Sequence, residues 1–246
     1  MPLNGEINEK GEPKLKRAKG ARNKKRRGEG TRRLKVAIVG GGPTRKKAPY
    51  KDKSWDIWAF SSTHDRYPRI TRWFEIHALA DLKQQLATKK RGRRTYPNYM
   101  RFMRRLRCPV YMQRRHRSIP CSVPFPKQKV LKAFGRCFTS TASYLIALAI
   151  LEGYKVIGLW GIDLKGSSYD RQRPAIEYLL GVAVKRGIRV VIPRGSKIRV
   201  PQRPKFVATR VLYAYDWRSP GAWWRKRVLA RLRKRRRKRV KKRGRK

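Results

Sequence analysis

A series of apolar segments in the second half of the sequence, in which helix-like and strand-like patterns alternate, leaves few folds open to this chain. Thr139–Thr141 supplies three hydroxyl side chains suited to the start of a helix, and Ala142–Leu151 is apolar at nearly every position. A strand-like run, Lys155–Trp160, comes next. Helical spacing returns over Arg171–Arg186, and Ile188–Ile192 is again strand-like. This order indicates βαβ units.

The first half of the sequence adds four strand-like runs, which are Lys35–Val39, Trp55–Phe60, Arg72–Leu79 and Pro109–Gln113. Apolar strands without polar alternation, separated by helices, are typical of a parallel sheet that is covered on both faces. We therefore predict an α/β fold, a Rossmann-like parallel sheet with helices on both faces, over residues 34–200.

The segments outside these runs are rich in Lys and Arg. Residues 1–33 predict a basic, flexible, disordered arm, and residues 90–107 predict an Arg-rich connection inside the domain. Residues 201–246 form a basic carboxyl-terminal extension with an Arg-rich helix from Gly221. Within it, Phe206–Tyr215 is ambiguous, and an edge strand is one interpretation.

The excess of positive charge extends over the body of the chain as well as its ends. The 68 Lys and Arg residues face 14 Asp and Glu, which gives a formal net charge of +54. Residues 34–217 alone carry a net +29 by count. A compact body so charged repels itself unless a polyanion binds it. We expect the phosphate backbone of DNA or RNA to be that partner, with an anionic membrane surface as the lesser alternative.

Several classes of protein are disfavoured by the sequence. The longest uninterrupted apolar run has eight residues (Tyr144–Leu151), whereas a membrane span needs about 20, so we expect no transmembrane segment. No apolar segment follows the basic amino-terminal residues, so no secretory signal is expected. Three widely spaced Cys residues and no C-x₂₋₄-C pair predict neither a disulfide scaffold nor a metal site. The expected location is the cytoplasm, in association with nucleic acid.

Three groups of residues are expected to meet at one edge of the sheet, where α/β folds bind ligands. They are the turn of Gly40, Gly41, Gly42, Pro43 and Thr44 after the first strand, Ser61 and Ser62 after the second, and Ser140 and Thr141 at the start of the apolar helix. Glycine turns and helix amino termini both suit phosphate groups. A plain tight turn and plain helix capping are the structural alternatives. Asp163, after the strand Lys155–Trp160, is expected at the same edge, in either a catalytic or a turn role.

Basic residues interleaved with aromatic ones predict contacts with nucleic acid, because guanidinium groups grip phosphates and aromatic planes stack on bases. The residues proposed for this role are Lys46, Lys47, Arg104, Arg105, Arg114, Arg115, Trp223, Trp224, Arg225, Arg231, Arg235, Arg236 and Arg237. No zinc-finger spacing or RNP motif is present, so we expect binding through phosphate and shape.

Five segments carry a resemblance to known proteins: VAIVGGGPT (36–44), DIWAFSS (56–62), CFTSTASYLIALAILEGYKVIGLWGID (137–163), GSSYD (166–170) and AIEYLLGVAVKRGIRVVIPRGS (175–196). The chain resembles uncharacterised tailed-phage proteins with a Rossmann-like fold, and this resemblance implies the cytoplasm of a host cell, with nucleic-acid or virion association, as its location. It is more distantly similar to bacterial CMP-sialic-acid-dependent sialyltransferases and DUF115-type proteins. The resemblance implies that Gly40–Thr44, Ser61, Ser140 and Tyr169 bind a CMP-type nucleotide-sugar donor.

The sequence departs from the sialyltransferase pattern at the catalytic position. The segment that carries the family's catalytic His is reduced here to Asp170–Pro174, without a His. A general base would then be Asp163, Tyr169 or His77.

Two hypotheses follow. The first is a phage-encoded nucleic-acid-binding protein with a nucleotide or nucleotide-sugar pocket, acting as a glycosyltransferase-like, nucleotide-sugar-dependent enzyme. The second is a non-enzymatic DNA- or RNA-binding protein of a packaging, nucleoid or ribosome-like type, built on a degenerate transferase scaffold.

Overall fold

A computed structural model of the chain describes residues 34–60, 67–87, 95–164, 166 and 169–216. In that part of the chain, seven strands form one sheet in which every neighbouring pair is parallel, in the order β5-β4-β3-β2-β1-β6-β7. The strands are β1 (Lys35–Val39), β2 (Trp55–Ala59), β3 (Arg72–Glu75), β4 (Val110–Met112), β5 (Ser122–Pro124), β6 (Val156–Trp160) and β7 (Arg189–Val191). The predicted α/β, Rossmann-like fold class is confirmed.

Five α-helices and one short 3-10 turn connect the described strands. They are the turn Pro43–Lys47 and the helices α1 (Leu79–Ala87), α2 (Tyr96–Arg105), α3 (Lys127–Phe134), α4 (Thr141–Leu151) and α5 (Arg173–Lys185). None of the helices in these ranges has the length and apolarity that crossing a bilayer requires.

The centre of the sheet is the most completely buried part of the fold. Strand β1 lies between β2 and β6, and Val39 pairs with both Ala59 and Trp160 at the carboxyl ends of the three strands. All five residues of β6 are buried. Strands covered on both faces must be apolar throughout, which explains why their sequences do not alternate. The register brings three strand ends to the same level at one edge.

Helix α4 owes its composition to its position in the main core. Ten of its eleven residues are buried, so no polar face remains. The Ser140 side chain accepts from the backbone N–H of Ser143, while the Ser143 hydroxyl lies 3.3 Å from the Ser140 backbone N–H and completes a capping box. Ser140, one of the hydroxyl residues at the start of this helix, therefore caps it as the sequence predicts.

The Arg-rich connection predicted over residues 90–107 is a helix, α2, over most of its described part. Its Tyr99, Met100 and Met103 are buried beside Trp73 of β3, and its arginines lie outside. Arginine is a good helix former, so a helix can tolerate many of them when a few apolar side chains share one face. The aromatic residues of this stretch serve the core.

The remaining differences concern short elements. The strand predicted over Arg72–Leu79 ends at Glu75, and Leu79 begins α1. Strand β5 and helix α3 were not predicted, because three residues and eight residues give little periodic signal.

Residues 201–216 lie against the core without forming a strand, so the edge strand considered over Phe206–Tyr215 was wrong. Leu212 and Ala214 are buried, and Ala214 adopts a φ of 63°. The Gln113 side-chain amide donates to the carbonyl of Ala214 at 2.7 Å. The segment is held by side-chain packing and isolated hydrogen bonds. Such contacts produce no periodic sequence pattern, so the conformation could not be predicted from the sequence.

Several predicted features lie outside the described residues. These are the arm 1–33, Ser61, Ser62, Trp223, Trp224, Arg225, Arg231, Arg235, Arg236, Arg237 and the helix from Gly221.

Candidate functional site

The glycine turn after β1 packs directly against the turn after β6. The N–H of Gly40 donates to the carbonyl of Trp160, and the N–H of Gly42 donates to the carbonyl of Gly161, both at 2.8 Å. A Cβ on Gly40 would lie 2.5 Å from the Gly161 oxygen, and one on Gly161 would lie 2.3 Å from the Gly40 oxygen. Both positions therefore require glycine. Gly40, the first glycine of the turn, is thus explained by the close approach of the two turns.

Thr44 and Asp163 fasten these two turns together. The Thr44 hydroxyl donates to Asp163 Oδ1, and the Thr44 N–H donates to Oδ2 at 3.2 Å. The same Thr44 oxygen accepts from the N–H of Gly161 at 2.7 Å. Both residues are buried. Both carboxylate oxygens of Asp163 therefore accept hydrogen bonds that hold the turns after β1 and β6 together.

A cavity of about 640 Å³ opens at this carboxyl edge of the sheet. Its lining includes nine residues that the sequence predicts for the site, namely Gly40, Gly41, Gly42, Pro43, Ser140, Thr141, Asp163, Tyr169 and His77. The volume lies within the range of about 300–1,000 Å³ that small-molecule sites occupy. The place is the crevice beside the central strands where open α/β sheets bind ligands. The expected convergence of turn, helix and strand end is present in the described residues.

Two groups of backbone amides belong to residues that line this cavity. In the described part of the chain, the amides of Gly40 and Gly42 donate to backbone carbonyls, whereas the amide of Gly41 donates to none. The first turn of α4 presents further amides at Thr141 and Ala142, which also line the cavity. Arg45 folds back so that its Nη1 donates to the carbonyls of Gly41 and Gly42, which fixes the outer side of the turn.

His77 lies beyond the end of β3, in a network of buried and half-buried polar side chains. Its Nδ1 lies 2.5 Å from Oε1 of Glu75, and its Nε2 lies 2.9 Å from the Tyr213 hydroxyl. The other oxygen of Glu75 accepts from the Tyr99 hydroxyl at 2.8 Å. Glu75 and Tyr213 line the same cavity as His77.

Two cavity-lining residues of this network, Glu75 and Tyr213, were not predicted from the sequence. Glu75 is the only acidic residue of its strand and directly follows two large apolar residues. A carboxylate in such a position is expected to be buried, and a buried carboxylate usually has a partner, so the sequence did contain a signal for Glu75. Tyr213 follows His77 by 136 positions in a segment without regular structure, and no local pattern predicts that contact.

The surroundings of Glu75 and His77 favour the charged pair. Burial alone would raise the pKa of Glu75 and lower that of His77. The mutual attraction and hydrogen bonds of the two groups outweigh burial, so the pKa of Glu75 is lowered and the pKa of His77 is raised. Burial raises the pKa of the Tyr213 hydroxyl to about 12, with a further contribution from the Glu75 charge.

Tyr169 stands at the rim of the cavity and is 40% exposed. Its N–H donates to the carbonyl of Gly166, so the short loop after β6 positions it. Its exposure suits contact with a ligand that enters from solvent.

The predicted basic residues in the described ranges all lie on the surface. Lys46 and Lys47 are exposed on the 3-10 turn beside the glycines. Arg104 and Arg105 end α2, and Arg114 and Arg115 follow β4. We give the name arginine face to the seven exposed arginines of residues 101–117, of which Arg107 and Arg115 line a common groove: Arg101, Arg104, Arg105, Arg107, Arg114, Arg115 and Arg117.

Among the described residues, no carboxylate compensates the positive charge of the arginine face. Residues 82–151 contain 17 Lys and Arg and no Asp or Glu. No described carboxylate forms an ion pair with any of its seven guanidinium groups. Arg107 and Arg115 line one shallow groove of about 490 Å³ with Cys108 and Cys121.

The parallel sheet and the glycine turn define an α/β protein with a Rossmann-like fold and a cavity at the carboxyl edge of its sheet. No family model matches the chain, and no curated protein matches it. Among solved structures, the fold is similar to that of the sialyltransferase CstII from Campylobacter jejuni in complex with cytidine-5'-monophosphate. The identity is 16%, the match covers 74% of this chain and 92% of CstII, and the TM-score is 0.42.

Two further structures from Campylobacter jejuni show similar values. An alpha-2,3-sialyltransferase in apo form is 16% identical over 80% of this chain and 94% of its own, with a TM-score of 0.41. The monofunctional alpha-2,3-sialyltransferase Cst-I is 14% identical over 82% and 95%, with a TM-score of 0.40. The likeness is limited to the fold.

Proposed function

We propose that this chain binds a nucleotide or nucleotide-sugar of the CMP type in the cavity at the carboxyl edge of its sheet. The observation that carries the proposal is the convergence there of the Gly40–Gly42 turn, the first turn of α4 and the end of β6 around about 640 Å³. The cavity walls combine apolar side chains such as Phe60 and Ile176 with these polar groups, which is the usual make-up of a cofactor site.

The phosphate of such a ligand would lie between the glycine turn and α4. The Gly41 amide and the first amides of α4 supply donors, and the α4 macrodipole favours an anion at its amino terminus. No Lys or Arg belongs to the described lining, so recognition would depend on backbone groups. The exposed Lys46 and Lys47 nearby would raise the local concentration of anionic ligands.

Isothermal titration calorimetry with CMP, UDP, GDP and their sugar conjugates tests this proposal. Ala142→Leu would place a larger side chain in the cavity beside the α4 amides, and we expect it to weaken nucleotide binding at least tenfold. Val184→Leu, on an exposed position of α5, is the matched control and should bind as the wild type does. Absence of nucleotide binding by the folded wild-type chain would refute the proposal.

A second function, binding of DNA or RNA, is favoured by the uncompensated arginine face. Seven exposed guanidinium groups in a region without carboxylates repel one another, and a phosphate backbone would relieve that repulsion. A protein with this face and a cavity that binds no nucleotide would match the non-enzymatic packaging, nucleoid or ribosome-like alternative. Phage origin and a cytoplasmic location stay predictions.

The salt dependence of nucleic-acid affinity tests the second function. Changing Arg104, Arg105, Arg114 and Arg115 to Gln should reduce the slope of log K against log [salt] by about 0.9 for each phosphate of duplex DNA that the variant no longer neutralises. The control changes four exposed basic residues elsewhere, Lys129, Lys132, Lys185 and Arg189, to Gln. Equal effects of the two quadruple variants would show that the arginine face has no special role.

A further inference from the structure

A continuous series of hydrogen bonds connects Trp73 of β3, which is buried in the core, with the cavity. Trp73 Nε1–H donates to the Tyr99 oxygen at 3.0 Å, and the Tyr99 hydroxyl donates to Oε2 of Glu75. Glu75 Oε1 accepts from the backbone N–H and lies next to Nδ1 of His77. The donors on both sides point toward Glu75, so each group in the series has a defined role as donor or acceptor.

This order fixes the tautomer of His77. A carboxylate can only accept, so Nδ1 of His77 carries the hydrogen that Glu75 receives. In the neutral ring Nε2 is then an acceptor, and the hydroxyl of Tyr213, 2.9 Å away, donates to it. A carboxylate, an imidazole and a hydroxyl in this sequence form the arrangement that activates hydroxyl groups in many unrelated enzymes.

The charged and titratable groups around His77 come from three further elements. Glu75 approaches from β3, Asp81 from α1, and Tyr213 from the carboxyl-terminal segment, while Tyr99 of α2 holds the far side of Glu75. Both carboxylates favour a positive charge on the ring. When His77 takes a proton, the positive charge of the imidazolium is therefore compensated by the carboxylates of Glu75 and Asp81.

We propose that Glu75, His77 and Tyr213 form a proton relay that serves a hydroxyl group of a second ligand in the cavity. The inference rests on the proposed nucleotide site, which supplies a nucleotide-activated donor. Tyr213, whose hydroxyl would meet the ligand, is the catalytic residue, and His77 and Glu75 are positioning residues that act through it.

Atoms and electrons balance in the transfer step. The ligand hydroxyl gives its proton to the Tyr213 oxygen while the Tyr213 proton passes to Nε2 of His77. The ligand oxygen forms a bond to the electrophilic atom of the donor, and the bond from that atom to the nucleotide phosphate oxygen breaks. The electron pair leaves on the phosphate, and the imidazolium beside Glu75 later returns its proton to water.

The sharpest test compares Tyr213→Phe with Tyr215→Phe. Both tyrosines belong to the same segment, and the Tyr215 hydroxyl is buried without a hydrogen-bond partner among the described residues, so it is a matched control. Release of free nucleotide from CMP-, UDP- and GDP-sugars, with water or glycerol as the hydroxyl ligand, is measured beside the Kd for the nucleotide. We expect Tyr213→Phe to slow release about 100-fold or more with the Kd unchanged, and Tyr215→Phe to match the wild type.

The pH profile separates a relay from a structural role for His77. His77→Gln should abolish the acidic limb of the pH–rate profile, whereas His116→Gln, on the β4–β5 connection, should keep it. Equal rates for Tyr213→Phe and wild type, or nucleotide binding without turnover of any donor, would overturn the relay and leave the nucleotide site standing. If no nucleotide binds, the nucleotide site fails, and nitrogen NMR of His77 decides the relay. A ring hydrogen on Nε2 at pH 8, or signals unmoved by Tyr213→Phe, would overturn it.

Discussion

The close approach of the turns after β1 and β6 can be tested with three glycine-to-alanine variants that separate two costs. Gly187→Ala adds a Cβ to a residue with φ +75° that has nothing within 4 Å, so it incurs the cost of backbone conformation alone. Gly40→Ala requires no unusual φ but places its Cβ 2.5 Å from the Gly161 oxygen. Gly161→Ala incurs both costs, with φ +66° and a Cβ 2.3 Å from the Gly40 oxygen.

The magnitudes follow from these geometries. A left-handed conformation costs an alanine about 1–2 kcal/mol. Crowding of a well-packed site typically costs about 1–3 kcal/mol, and here the crowded atoms are backbone on both sides, which cannot rotate away. We therefore expect about 1–2 kcal/mol for Gly187→Ala, about 1–3 for Gly40→Ala, and about 2–5 for Gly161→Ala.

Urea unfolding followed by fluorescence measures these free energies, provided that the slope m is the same for all four proteins. The chain has seven Trp residues, and Trp160 adjoins the affected turn, so the signal reports on this region. Equal destabilisation by Gly161→Ala and Gly187→Ala would refute the reasoning, since it would mean that the two turns can separate at no cost. A stability of Gly40→Ala within 0.5 kcal/mol of wild type, about the usual range for neutral surface changes, would refute it as well.

Three further predictions concern single side chains. Ser140→Ala removes the cap of α4 and should lower the free energy of unfolding by about 1 kcal/mol in urea titrations. Glu152→Gln leaves the partly buried Arg72 guanidinium, which donates to both Glu152 oxygens, without its charged partner, and should cost about 1–3 kcal/mol by the same assay. The pair of Glu75 and His77 should stabilise the fold most between about pH 4.5 and 6.5, the ordinary values of the two groups. This contribution is lost as the pH rises through the raised pKa of His77 or falls through the lowered pKa of Glu75, and thermal melting of His77→Gln against pH should lack the loss on the alkaline side.

The parts of the fold that could be predicted from sequence are those in which one local pattern decides the structure. Strands β1, β2 and β6 are buried on both faces, so their apolar runs were unambiguous. Helix α4 combined a hydroxyl cap with an apolar run, and both signals were correct. Helix α2 was missed because its arginines dominated a pattern in which only three buried side chains mark the inner face.

In the candidate site, too, the residues that could be predicted are those that adjoin elements with a clear local pattern. The glycine turn and Asp163 follow recognisable strands and Ser140 precedes a recognisable helix, so general rules for parallel sheets place them together. Tyr213 reaches the cavity because Gln113 holds the neighbouring backbone and Leu212 packs into the core. These are long-range contacts between residues that share no pattern, and only the tertiary structure shows them.

The placement of Tyr213 has a consequence for how the protein is made. Every strand and helix of the described fold precedes residue 192, yet one wall of the cavity comes from residue 213. During synthesis the ribosome would deliver the whole sheet before the residue that completes the site. A chain ending at residue 200 would contain the residues of all seven strands but would lack Tyr213 and the core residues Leu212 and Ala214, so neither the cavity nor the main core is complete until the last described segment has been made.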